Sequence, residues 1–303
     1  MLRGLVLVAL ATTSWGTAGA VATVLVSRTG IDVFTMGAIR MWIAAVLLLG
    51  IAWLAGGALR PSRADLGRCA AMGLCMAIFQ LTYFTAVARI GVGLAALVAI
   101  CSAPLLIALL ATVALRERMT AWAAAALVLG VAGAALLVAG PRGASGSRGF
   151  AAAGTALALG AGASYAVYVV IAKASVARSA PLPMAAYTFV AGALLLTPAL
   201  WFSRDLARET ALGWPLLLYL GGVATAGAYA VYTVGLRHLS AGAAGILALI
   251  EPLTATALGV MVFGERLGVS GIAGAALLFV SIGLLVRAQA APVPALAPQT
   301  SPR

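Results

Sequence analysis

The chain has 303 residues, 64% of them hydrophobic and 9% charged, with a mean hydropathy of +1.12. So few charges cannot cover a soluble surface, and runs that are apolar all round exclude the alternating pattern of a β-barrel. The net charge of +12 fits Lys and Arg in loops beside lipid headgroups, and no basic stripe with interleaved aromatics points to nucleic acid.

Ten apolar segments follow in order: residues 4–26, 33–55, 66–88, 92–115, 121–139, 150–172, 184–202, 214–236, 241–263 and 269–286. Each has roughly the 20 residues a bilayer crossing needs. The first continues past a signal-like Ala18-Gly19-Ala20 and is expected to be a span rather than a cleaved leader. Arg40 lies about two turns inside the second. Its guanidinium either snorkels to an interface or meets a carboxylate, of a substrate or of Glu251. The Gly/Ser-rich stretch at 141–149 reads as a linker, and the Pro/Ala-rich residues 288–303 read as a disordered tail. The cysteines Cys69, Cys75 and Cys101 form no CxxC pair, and the single histidine is His238. Neither a disulfide framework nor a metal site is supported, and no cofactor is expected. With no HExxH, no GxSxG and no histidine inside a span, enzymatic activity is not expected either.

The ninth segment carries the most information. It reads AGAAGILALIEPLTATALGVMVFGER from Ala241 to Arg266, with an acid and a proline at mid-depth. Pro252 has no N–H, so the carbonyl of Ala248 loses its helical partner. An acid in that place is tolerated only where it faces protein or a watery cavity. A carboxyl group taken out of water holds its proton more readily. Glu251 is therefore a proton site, a contact for a substrate ammonium group, or a protonated helix contact.

The same frame occurs earlier. At an offset of 148 residues, Thr233, Arg237, Pro252, Leu253, Leu258, Glu265 and Arg266 fall on Thr85, Arg89, Pro104, Leu105, Leu110, Glu117 and Arg118. In a chain so poor in charge this is a repeat. Glu251 falls on Ala103. Five spans per half place the halves in opposite orientations. The expected fold is an all-α polytopic membrane protein of ten transmembrane helices in two inverted five-helix repeats, 1–140 and 150–287. Lys and Arg divide eleven against seven between the two sides, which puts both termini in the cytoplasm.

Aromatics recur at helical spacing: Phe79 and Tyr83, Tyr165 and Tyr168, Tyr229 and Tyr232. Tyr83, Phe84 and Tyr232 lie near span ends and fit an interfacial belt. Trp15, Gln80, Tyr165 and Tyr229 lie deeper and either pack or line a cavity. Trp42, Trp53, Trp122, Trp201 and Trp214 read as interfacial anchors. Glycines such as Gly130, Gly133 and Gly274 allow close helix approach.

Ser14-Trp15-Gly16, Arg40, Tyr83-Phe84-Thr85-Ala86, Pro104 with Glu117, and Pro252 with Glu265 together resemble the drug/metabolite transporter superfamily. The match is to the ten-helix exporters with two EamA-type repeats. The resemblance implies a secondary transporter that exports small metabolites, often amino acids, across a bacterial inner membrane from a central cavity between the halves. Aromatic or other apolar amino acids suit the ring-rich spans. A passive facilitator or channel, or a drug or nucleotide-sugar carrier of the same fold, is the alternative. Candidate substrate contacts are Trp15, Gln80, Tyr83, Ser102, Tyr165, Tyr168, Tyr229 and Glu251, and candidate kinks are Pro104 and Pro252. The expected partners are a small-molecule substrate and the lipid bilayer, with the chain acting as a monomer.

Overall fold

The computed structural model describes residues 2–56, 61–138, 148–264 and 268–290. Among them every regular element is helical. α1 (Leu2–Thr29) and α2 (Val33–Leu54) meet at a turn through Gly30, whose φ is +72°. Asp32 starts α2 by accepting hydrogen bonds from the N–H groups of Phe34 at 2.8 Å and Thr35 at 3.3 Å, which satisfies donors that a helix start leaves free.

α3 (Arg63–Ala114) is 52 residues long, about 78 Å of helix by rise alone and more than twice a bilayer core. It is interrupted at Gly91, where φ is 81° and ψ 158°, a conformation closed to other residues. α5 (Arg148–Val176) shows that the chain reverses there. Gly154 lies against Arg89 and Ile90, Gly162 against Ser102 and Ala99, and the Ser164 hydroxyl donates to the carbonyl of Cys75 at 2.7 Å. One stretch of α5 thus touches both arms of α3, which are two antiparallel spans.

The chain continues with α4 (Ala121–Val138), α5, and α6 (Pro181–Leu196) prolonged by a 3₁₀ turn (Thr197–Phe202). Then α7 (Leu206–Leu218), a π-helical segment (Tyr219–Gly227) and α8 (Ala228–Leu236) form one rod. α9 (Ala241–Leu247), α10 (Ile250–Phe263) and α11 (Val269–Ala290) complete it. Eight helical stretches among the described residues have the length and composition of a membrane span, with α7–α8 and α9–α10 each counting once. Counting α3 twice and adding the shorter α4 gives ten.

Some ends differ from the sequence reading. The eighth span begins at Leu206 rather than at 214, because the Asp205 carboxylate accepts from the Arg208 N–H at 3.1 Å and the Ser203 hydroxyl donates to Glu209 at 2.6 Å. These contacts let the polar run fold as helix. The sixth span runs to Val176 and the tenth to Ala290. Residues 141–147 of the expected linker, Glu265 and Arg266, and the tail from 291 lie outside the described residues.

The helix packing follows the repeat. α1 packs on α8 and α10, the eighth and ninth spans, and its counterpart α5 packs on the two arms of α3, the third and fourth. α2 packs on its own counterpart α6, and α4 on α11. The main seams therefore run between the halves. Small residues permit this. A methyl built on Gly16 would lie 2.6 Å from the Glu251 carbonyl oxygen, and one on Gly133 would lie 2.8 Å from that of Gly274. With no hydrophobic drive between helices in lipid, backbone approach of this kind carries the packing.

Candidate functional site

The ninth span is broken where the acid sits. α9 ends at Leu247, and α10 restarts at Ile250 with Glu251 in its first turn. The carbonyl of Ala248, expected to stand free, instead accepts from Glu251's own backbone N–H at 3.0 Å. A tightened last turn satisfies what Pro252 cannot. The ninth span is interrupted at Ala248 and Leu249, and Pro252 falls in the first turn of α10. At Pro104 the helix continues, since Gly91 is the interior residue of α3 with non-helical torsions.

Glu251 is half-buried and borders a cavity of about 240 Å³ between the halves. The first half contributes Trp15, Arg40, Phe79, Gln80, Tyr83 and Phe84, and the second contributes Tyr165, Phe189, Tyr229 and Glu251. Tyr83, Phe84 and Tyr232 therefore do not form an interfacial belt: the first two line the cavity, and Tyr232 is fully buried with its ring 5.1 Å from that of Trp15. Ser102 and Tyr168 do not line the cavity. Ser102 faces Gly162 and donates to the Ala99 carbonyl, while Tyr168 packs 5.9 Å from both Tyr165 and Tyr229. Trp53, Trp201 and Trp214 are exposed on the outer surface, while Trp42 donates to the Thr197 hydroxyl at 3.1 Å.

Arg40 does not snorkel. Its Nη2 donates to Gln80 Oε1 at 2.7 Å beside the cavity. α2 reaches this place because Gly221, in the π-helical segment, has no side chain to fend off Ile43 and the Arg40 carbonyl. That segment also carries the cavity residues Ala224 and Thr225, and the Thr225 hydroxyl donates five residues back, to Leu220, at 2.7 Å. π-Segments recur at functional sites. Arg40 and Glu251 form no ion pair with each other. The ion pair found among the described residues is Arg68 with Asp65, at 3.2 Å.

The rings enclose the site tightly. Trp15 lies 4.9 Å from Tyr229, Phe189 4.7 Å from Tyr229, and Phe79 stacks on Tyr83 at 5.7 Å. The sequence did not single out Phe189 or the Arg40–Gln80 pairing. Gly37, one turn before Arg40, was the available signal, because it leaves room for the Gln80 amide.

The cavity lies toward the α1–α2 turn, and the other end is clasped. Lys173 Nζ donates to the Leu236 carbonyl at 3.0 Å, and Arg237 donates back to the carbonyls of Val176 and Ser179, each at 3.0 Å. The Glu117 carboxylate accepts from the N–H groups of Ala241 at 2.9 Å and Gly242 at 3.3 Å. Cations meet helix C-termini and an anion meets an N-terminus, as the helix dipole favours.

Ten spans seamed between two halves, with a cavity between the halves bordered by Arg40 and Glu251, define a membrane transporter of the inverted-repeat kind. The chain belongs to the EamA-like transporter family, whose pattern matches residues 2–139 and again 152–287. It is 39% identical over 213 residues, 70% of each chain, to YwfM, an uncharacterized transporter of Bacillus subtilis strain 168. It is 32% identical over 122 residues, 40% of this chain and 43% of the other, to an uncharacterized transporter of Archaeoglobus fulgidus. A solved crystal structure shares the fold with a TM-score of 0.81 at 20% identity, over 94% of this chain and 97% of that one.

Proposed function

We propose that this transporter exports small zwitterions, amino acids with apolar or aromatic side chains, across a bacterial inner membrane by alternating access. Both termini are then cytoplasmic. One observation carries the reading: Arg40 and Glu251, opposite charges from opposite halves, border one cavity without pairing. A guanidinium and a carboxyl group that face one cavity without a direct ion pair favour an occupant that answers both. Arg40 takes the carboxylate and Glu251 the ammonium group, and the rings of Trp15, Phe79 and Phe189 receive the side chain. The cavity of about 240 Å³ is below the usual range for drug-sized ligands. That size favours an amino acid over a nucleotide sugar.

The test is counterflow by the purified protein in liposomes, using labelled phenylalanine, leucine and glutamate. Unlabelled phenethylamine and phenylpropionate, each lacking one charged group, serve as competitors. Phenylalanine is expected to exchange, and each competitor is expected to inhibit more weakly than unlabelled phenylalanine. Equal inhibition by all three would discard the zwitterion reading. An imposed pH gradient that drives accumulation separates a coupled carrier from a facilitator. For orientation, a cysteine at Ser145 should react with impermeant reagent from outside the cell.

A further inference from the structure

Gln80 is almost fully buried, at 3% exposure, and its amide lies in a notch on α2 made by Gly37. A side chain on Gly37 would collide with the Gln80 amide nitrogen. The same amide accepts the Arg40 Nη2–H at 2.7 Å. Gly37 and Arg40 are one turn apart on α2, so a single surface of that helix fixes both the amide and the guanidinium. Three N–H groups near the cavity are buried without an acceptor: Gln80 Nε2, held in the Gly37 notch, Arg40 Nε and Trp15 Nε1. None of these N–H groups can accept a hydrogen bond. They are sealed from the cavity, so what this wall offers an occupant is the charge of half-buried Arg40, which an anion answers.

We infer that Gln80 is the positioning residue that makes this site selective for a carboxylate, by holding Arg40 in place without neutralising it. This rests on the reading that Arg40 receives the substrate carboxylate. The choice of an amide decides the chemistry. A neutral carbonyl oxygen takes one of the five guanidinium N–H donors and leaves the charge and the other donors for a ligand. A carboxylate at the same place would fork onto the guanidinium and cancel its charge. An apolar residue would leave the long Arg side chain free to turn away. Gly37 belongs to the same device, because it keeps the amide pressed against α2.

The experiment compares wild type, Gln80→Glu and Gly37→Ala, each purified at full length and assayed in liposomes. The probes are phenylalanine and phenethylamine, which differ by the carboxylate. In wild type, phenylalanine is the better substrate. In Gln80→Glu, the KM for phenylalanine rises about tenfold, as expected when one charge-assisted hydrogen bond is removed, while transport of phenethylamine is retained or improves. Gly37→Ala shifts the same ratio in the same direction by less, with no charge introduced. If both probes weaken equally in Gln80→Glu, or neither changes, Gln80 is not the selective element. If both variants lose thermal stability and retain the wild-type ratio, their role is packing and the inference fails. If wild type transports neither probe, the amino-acid reading fails and this inference goes with it.

Discussion

The fourth and ninth spans carry a proline at matching positions, and the backbone treats them differently. The second arm of α3 runs unbroken through Pro104, whereas the ninth span stops at Leu247 and restarts at Ile250, which places Pro252 in the first turn of α10. Inside a helix a proline removes a hydrogen bond and crowds the preceding turn, at about 3 kcal/mol. In a first turn there is no bond to lose. The break also changes what the neighbouring residue can be. Ala103 precedes Pro104 within a continuous helix, and Glu251 precedes Pro252 at a helix N-terminus, where the dipole favours an anion. A new helix start at mid-membrane is what lets the second half carry an acid that the first half lacks.

The sharpest way to break this comparison is to neutralise the acid. Glu251→Gln is expected to lower uphill transport about a hundredfold, the scale of losing one charged hydrogen bond to a bound substrate. If Glu251 carries a proton, exchange of substrate across the membrane survives in this variant, because a proton site matters only when the empty carrier reorients. If it holds the substrate ammonium, exchange falls as well. Wild-type behaviour in both assays would leave Glu251 a helix contact.

Pro252→Ala comes next. With an N–H restored, the carbonyl of Ala248 has two competing donors and the break is no longer enforced. Uphill transport should fall about tenfold as Glu251 shifts, while the melting temperature holds or rises, since Ala is the better helix former. Pro104→Ala is the comparison. That helix is already continuous, so the variant should gain about 1 kcal/mol from one backbone hydrogen bond; Pro104 is buried and borders the cavity, so transport should fall, but by less than in Pro252→Ala. Equal losses in the two proline variants would erase the distinction between the spans.

The smallest effect is expected at Glu117, which follows the fourth span and caps the start of the ninth. Glu117→Gln keeps the shape and weakens the interaction with the helix N-terminus. Stability should fall by about 1 kcal/mol, read as a lower melting temperature. A cysteine at Ser240 should label faster in this variant.

Much of the architecture is legible in the chain. Run lengths mark the spans, the 148-residue offset marks the repeat, and the composition around Gly91 separates two segments where the helix reverses. Glu251 stands out because a lone acid in an apolar run needs a reason. The pairing of side chains across helices is less legible. These spans are apolar on every face, so periodicity does not say which face turns inward. Tyr232 and Tyr83 lie on similar sequence patterns near span ends, yet one is sealed against Trp15 and the other borders the cavity. The Arg40–Gln80 hydrogen bond joins two spans and leaves no trace in either one alone. The Ala248 carbonyl departs from expectation because a helix can tighten its last turn, and sequence marks only the missing donor.

The seam between α4 and α11 bears on how the halves can move. At Gly133 and Gly274 the two backbones touch, since a methyl on either would lie within 2.8 Å of the other's carbonyl oxygen, and the Cβ atoms of Leu277 and Leu136 flank the contact. Rods that meet at bare backbone, with bulky shoulders beside it, roll against one another but cannot slide lengthwise without first lifting apart. Any relative motion of the halves at this edge is then expected to be angular, with the seam as its axle.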